Sequence, residues 1–136
     1  GISDWAAHYH YAADPSRSQA AAELVAGRVS TLRGCMSSEQ YARLYADVSV
    51  RIAYVGRTFA GWSDAGGPDT PANDGGRALL DWRAHREYAS SGPGAFAVPN
   101  LVMHRLRHLH RRLPPDAYAR LYADLSILIA TYTRMN

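Results

Sequence analysis

Residues 41–53 read "YARLYADVSVRIA", and residues 118–130 read "YARLYADLSILIA". The second stretch lies 77 positions after the first. The same offset carries "DWAAHYHYA" (4–12) onto "DWRAHREYA" (81–89). Aligned without a gap, 1–59 and 78–136 are identical at 22 of 59 positions, where chance at this composition gives about five. We read the chain as one unit written twice. The expected organisation is a single domain, 1–136, with internal repeats 1–59 and 78–136 joined by a flexible connector, 60–77. The connector "AGWSDAGGPDTPANDGGR" is rich in Gly, Pro, Asp and Asn and has no apolar period, with Trp62 as its one apolar anchor.

Each copy reads as three helices. Helix A begins at Asp4 or Asp81, where an Asp ahead of Trp suits an N-cap. Helix B of the first copy follows "DPS" (14–16), with Asp14 capping and Pro15 at the first helical position. In the second copy "SSGPGAFAVPN" (90–100) replaces it, and its glycines and prolines predict a shortened helix B starting near Pro99. Helix C opens at "SSEQ" (37–40), where Ser37 and Gln40 suit a capping box, and again at "PPD" (114–116). No stretch alternates as a half-buried strand does. The expected fold is therefore all-α: a six-helix bundle made of two tandem three-helix repeats with pseudo-twofold symmetry.

A wheel at 100° per residue separates buried from exposed positions. In helix A the shared residues Asp4, Trp5, Ala7, His8, Tyr11 and Ala12 fill one arc of about 160°. Divergence concentrates where solvent tolerates it, so this arc is expected to face inward, with His8 and His85 near its middle. In helix C, Tyr41, Leu44, Tyr45, Val48 and Ile52 form an apolar stripe. A ridge of small residues runs beside it: Ala42, Ala46, Ser49 and Ala53, matched by Ala119, Ala123, Ser126 and Ala130. Such ridges let backbones approach closely, so either the two C helices cross along them or each receives helix B of its own copy. Arg43 with Asp47 and Arg120 with Asp124 are i, i+4 pairs: plain solvated pairs, or groups that also reach the start of helix A.

Composition excludes some functions. The chain has 136 residues, enough for one compact domain. No apolar run approaches the roughly 20 residues of a membrane span. The start, "GISDW", shows no secretory signal, so a cytoplasmic location is expected; opening on Gly1 suggests a trimmed, processed or excised chain. Cys35 is the only cysteine, which rules out an internal disulfide and a cysteine-based zinc site. All fifteen basic residues are Arg, which points to a GC-rich source rather than to chemistry. A net charge of +3 is mild, so nucleic acid is an unfavoured partner.

Three constellations carry the candidate chemistry. Asp4–His8–Tyr11 and Asp81–His85–Tyr88 sit at i, i+4, i+7 on one face. Converging across a pseudo-twofold axis, Asp4, His8, Asp81 and His85 would offer a metal two imidazoles and two carboxylates. The structural alternative is that Asp caps the helix while His and Tyr are satisfied by backbone. Second, "HRLRHLHRR" (104–112) presents a basic face, with Arg105, Arg107, Arg111 and Arg112 as candidates for an anionic surface. Its His104 and His108 have the i, i+4 spacing of paired metal ligands, but the wheel turns His104, Arg107, His108 and Arg111 away from the core stripe of Val102, Leu106, Leu109 and Leu113, which argues against a buried metal site; the structural alternative is a solvated helix face. Third, Arg28 and Arg105 flank the core stripe of helix B, where each would bind an anion or pair with Asp47 or Asp124. No phosphate-loop, dinucleotide, zincin or nucleophile-elbow signature is present.

The leading expectation is a non-catalytic helical module, without a cofactor, that binds a protein partner or small molecule. Its groove lies between the two halves and is lined by His8, Tyr11, His85, Tyr88, Arg28 and Arg105. A homo-oligomer is compatible with it. The alternatives are a metal-binding protein or small enzyme using the Asp–His–Tyr sets, and an anionic-surface or nucleic-acid binder using the 104–112 face.

Overall fold

The computed structural model describes residues 2–63 and 79–134. The described residues form six α-helices packed into a bundle, with no strand among them. These are α1 (Trp5–Ala13), α2 (Ala21–Arg33), α3 (Ser38–Ala60), α4 (Trp82–Ser90), α5 (Gly92–Arg112) and α6 (Pro115–Arg134). A 3-10 turn, Ser18–Ala20, leads into α2. Most of the 60–77 connector lies outside the described residues. No helix among them is long and apolar enough to cross a membrane.

Helix starts follow side-chain chemistry. Asp4 and Asp81 each accept a backbone N–H three residues on, from Ala7 and Ala84, at 3.2 Å. Ser37 and Gln40 form the reciprocal capping box. Two helix starts differ from expectation. Asp14 does not begin helix B; it ends α1 and folds the following turn by accepting from the Ser16 N–H and hydroxyl, at 2.9 and 2.8 Å. The helix proper starts at Ala21. In the second segment helix B is not shortened. It begins at Gly92, capped by Ser91, and runs 21 residues with Pro99 inside. An internal proline removes a backbone hydrogen bond, yet Val98, Leu101 and Val102 around it are buried, and that packing outweighs the local preference. Gly94 is required there: a Cβ would lie 1.8 Å from the Tyr88 carbonyl oxygen, so only glycine lets α5 start against the end of α4.

The packing is crossed. α1 lies on α6, and α4 lies on α3, so helix A of each segment covers helix C of the other. α2 packs on α5, α3 on α6, α3 on α5 and α2 on α6, whereas α2 with α3 and α5 with α6 barely touch. Helix C of each segment therefore packs on the opposite helix C and on the opposite helix B rather than its own, and the ridge serines Ser49 and Ser126 meet Arg105 and Arg28 of that opposite helix B. Tyr45, Leu44 and Ile52 of α3 and Leu121 and Leu125 of α6 are fully buried.

Indole–carboxylate bonds tie down the crossed helices. Trp82 Nε1 donates to Asp47 Oδ1 at 2.7 Å, and Trp5 Nε1 donates to Asp124 Oδ1 at 2.9 Å. The retained carboxylates thus reach the start of helix A, and the plain i, i+4 pair is not their role. Arg120 bridges to Asp116 instead, at 3.0 Å, while Asp124 meets Arg51 at 3.3 Å. Asp47 also accepts the Tyr132 hydroxyl at 2.5 Å, and burial followed by this carboxylate raises the Tyr132 phenol above its ordinary pKa.

Candidate ligand-binding site

Crossing sends the two histidine faces to different places. The His8 ring lies edge-on to Tyr122 of α6, at 5.9 Å between centroids, and the His85 ring lies edge-on to Tyr45 of α3, at 5.7 Å. Each Nε2 meets a backbone carbonyl six residues earlier: Ile2 at 2.9 Å for His8, Leu79 at 2.7 Å for His85. A carbonyl only accepts, so each Nε2 carries a proton. Tyr11 stacks on Tyr122 at 5.8 Å, and Tyr88 lies against Tyr45 at 6.0 Å.

The expected metal set is therefore not assembled. Asp4 and Asp81 are spent on capping, and each imidazole is turned to a carbonyl. Among the described residues no group of three or more His, Cys, Asp or Glu is placed to hold a metal ion. The single groove expected to collect His8, Tyr11, His85 and Tyr88 divides into two places, one on α6 and one on α3.

The arginines follow the same division. Arg28 Nη1 donates to Ser126 Oγ at 3.0 Å, with its guanidinium 5.7 Å from the Tyr122 ring centre. Arg105 Nη1 donates to Tyr45 Oη at 3.0 Å and Ser49 Oγ at 3.3 Å, with its guanidinium 5.9 Å from the Tyr45 ring. Neither pairs with Asp47 or Asp124 in these bonds, because those carboxylates hold the tryptophans. Exposure separates the two: Arg105 is 2 % exposed, whereas Arg28 is half-buried.

Burial also removes Arg105 from the expected anionic surface. Arg107 gives its Nη2 to Glu23 at 2.6 Å, leaving Arg111 and Arg112 exposed. That face is less basic than its sequence. His108 is not directed to solvent with them; its ring lies 5.8 Å from that of Trp62. Burial, then the charges of Arg112 and Arg111, hold its imidazole below the usual range.

Around His8 and Arg28 opens a cavity of about 260 Å³ between α1, α2 and α6. Thr31, Leu32, Ser126, Ile129, Ala130 and Thr133 line it, with Ile2 at its edge. Both threonine hydroxyls are spent within their helices, Thr31 on the Gly27 carbonyl and Thr133 on the Ile129 carbonyl. Among the described residues its polar groups reduce to Arg28, His8 and Ser126, set in an otherwise apolar wall. Sequence reasoning picked out His8 and Arg28 but not Ile129, Ala130 or Thr133 as their companions. No protein-family model, curated protein or solved structure matches the chain.

Proposed function

We propose that this chain is a non-catalytic binding module built from two copies of a three-helix unit, 1–59 and 78–136, related by a pseudo-twofold axis. It takes a small-molecule ligand in the cavity between the halves. The observation that carries the reading is the cavity of about 260 Å³, which joins His8 and Arg28 of the first half to Ser126, Ile129, Ala130 and Thr133 of the second. An engineered apolar cavity of about 150 Å³ already admits benzene, so this volume suits a compact organic molecule. The duplicated, symmetric plan is supported by contacts that recur at the 77-residue offset: Trp5–Asp124 with Trp82–Asp47, and Arg28–Ser126 with Arg105–Ser49. The absence of catalysis is inferred from the polar groups, which are committed to structure: the aspartates cap helices and each Nε2 serves a carbonyl.

The test is an amide and methyl NMR titration of the whole chain with a small-fragment library. Shifts should cluster on Arg28, Ile129 and Thr133, and Ala130→Leu, which fills the cavity, should abolish them. Fragments that bind only elsewhere, or not at all, would refute the reading.

A further inference from the structure

The 77-residue offset that pairs the two segments also pairs this cavity with a second place in the molecule. Ser126, Ile129, Ala130 and Thr133 correspond to Ser49, Ile52, Ala53 and Gly56, and Thr31 corresponds to His108. At that second place there is an indole. Trp62 folds back over the end of α3, its backbone N–H bonded to the Gly56 carbonyl at 3.2 Å. A Cβ on Gly56 would lie 2.3 Å from the ring, so the indole rests directly on the helix backbone. It lies beside His108 and is 6 % exposed. The scaffold therefore already seats a flat aromatic ring at one of its two corresponding positions.

We propose that the cavity between α1, α2 and α6 binds a planar aromatic carboxylate, its carboxylate meeting Arg28 and its ring lying outward of the place that corresponds to that of Trp62, which the Thr133 Cβ closes. This rests on the reading of the cavity as a ligand site and names the ligand's class. Two differences fix how the guest sits. Thr133 carries a Cβ where Gly56 has none, which moves the ring outward from α6. Thr31 is smaller than the His108 imidazole, which makes room in that direction, toward α2. Leu32, Ile129 and Ala130 supply the apolar wall against which a ring gains its burial.

The charge follows from Arg28. Its guanidinium is half-buried, stacked near Tyr122, and gives one hydrogen bond to Ser126; no carboxylate among the described residues pairs with it. A guanidinium has five N–H donors in a planar fork matched to a carboxylate. A partly desolvated cation gains from an anion more than an exposed one does. The apolar wall disfavours a bare, multiply charged ion such as phosphate, which would lose hydration against Leu32 and Ile129 with no donors in return.

The experiment is calorimetric and NMR titration of the whole chain with four probes: indole-3-carboxylate, its neutral amide, cyclohexanecarboxylate and inorganic phosphate. Indole-3-carboxylate should bind about tenfold or more tightly than its amide, and Arg28→Gln should erase that preference. Ala130→Leu should abolish binding. Thr133→Trp should do the same from an exposed position at the end of α6, which guards against a folding defect in the first variant. If cyclohexanecarboxylate binds equally well in the cavity, the aromatic class is wrong while the ligand site stands. If phosphate competes as strongly as indole-3-carboxylate, the site is a general anion site and the proposal falls. If no probe enters the cavity at about 10 mM and a fragment library also finds no binder there, the cavity reading falls with it.

Discussion

Replacing Asp47 with Ala removes two hydrogen bonds that hold the crossed packing. The carboxylate accepts Trp82 Nε1 at 2.7 Å and the Tyr132 hydroxyl at 2.5 Å, both partly buried. A hydrogen bond to a charged group contributes about 1.5–3 kcal/mol when buried. Partial exposure places the pair at about 3 kcal/mol together. The corresponding carboxylate, Asp124, has one indole bond at 2.9 Å, from a Trp5 that is 39 % exposed, and a solvent-facing pair with Arg51. Its removal should cost about 1 kcal/mol. With a urea m-value of roughly 1.5–2 kcal/mol per M, Asp47→Ala should lower the midpoint by about 1.5–2 M and Asp124→Ala by about 0.5 M. Helix signal in far-ultraviolet circular dichroism is the readout, since tryptophan emission changes with its own environment. A double-mutant cycle between Trp82→Phe and Asp47→Asn should show coupling of at least about 1 kcal/mol. Equal midpoint shifts for the two aspartates, or no coupling in the cycle, would refute the claim that these bonds fix α4 on α3.

Three further outcomes follow from the packing. Gly56→Ala should drive Trp62 off α3, red-shifting its emission in a Trp5→Phe/Trp82→Phe background that leaves Trp62 as the one tryptophan. The net stability loss should be about 1–2 kcal/mol, because Ala's helix preference offsets part of the lost burial. Burial pushes the Tyr41 phenol up to about 12, and its hydroxyl has no hydrogen-bond partner among the described residues. An unfolded phenol ionises near 10, so the folded state holds the proton longer, and stability should be full below pH 10 and fall toward pH 12. Tyr41→Phe should leave stability at pH 7 unchanged or raise it by up to about 1 kcal/mol, and should flatten the alkaline loss in pH-dependent denaturation. A 1–59 fragment lacks α6, the surface on which α1 packs, and should be unfolded or self-associated by sedimentation; a cooperative folded monomer would count against the crossed arrangement.

Much of the bundle was legible because local chemistry determined it. Asp4, Asp81 and the Ser37–Gln40 pair announce helix starts through oxygens that satisfy exposed N–H groups. The helix C stripe and ridge are buried as their spacing implies, from Tyr41 and Ala42 to Ile52 and Ala53. Pro99 misled because proline's cost is local, whereas the burial of Val98 and Val102 that outweighs it is tertiary. The wheel placed His8 and His85 on an arc expected to face inward; His85 is buried, but in α1 only Ala12 of that arc is, with Asp4, Trp5 and Ala7 exposed, and a wheel does not say which helix covers a face. The crossing of α1 and α4 separated the two histidines and with them the metal set. For Asp47 and Asp124 the sequence left two readings, a plain i, i+4 pair with an Arg or a reach to the start of helix A, because i, i+4 geometry is visible in sequence and the indole that each carboxylate meets is not. The signal for the cavity lay in positions where the segments differ, Thr133 against Gly56 and Thr31 against His108. A search for what they share passes over such positions.

These differences allow a converse test. If Trp62 occupies the place corresponding to the cavity, then Trp62→Ala should open a second hollow over Gly56 beside His108. Losing a buried Trp costs about 3–5 kcal/mol. Because Gly56 has no Cβ, the hollow should accept free indole and recover part of that stability by mass action. Indole at about tenfold its dissociation constant returns about 1.4 kcal/mol. Charge should matter less there than beside Arg28, since Arg105 is 2 % exposed and already bonded to Tyr45 and Ser49. Neutral indole should therefore stabilise Trp62→Ala at least as well as indole-3-carboxylate does, the reverse of the order expected at the natural cavity. If both places prefer the acid by the same factor, Arg28 is not what selects charge. If indole leaves the variant's stability unchanged, the correspondence between the two aromatic seats is wrong.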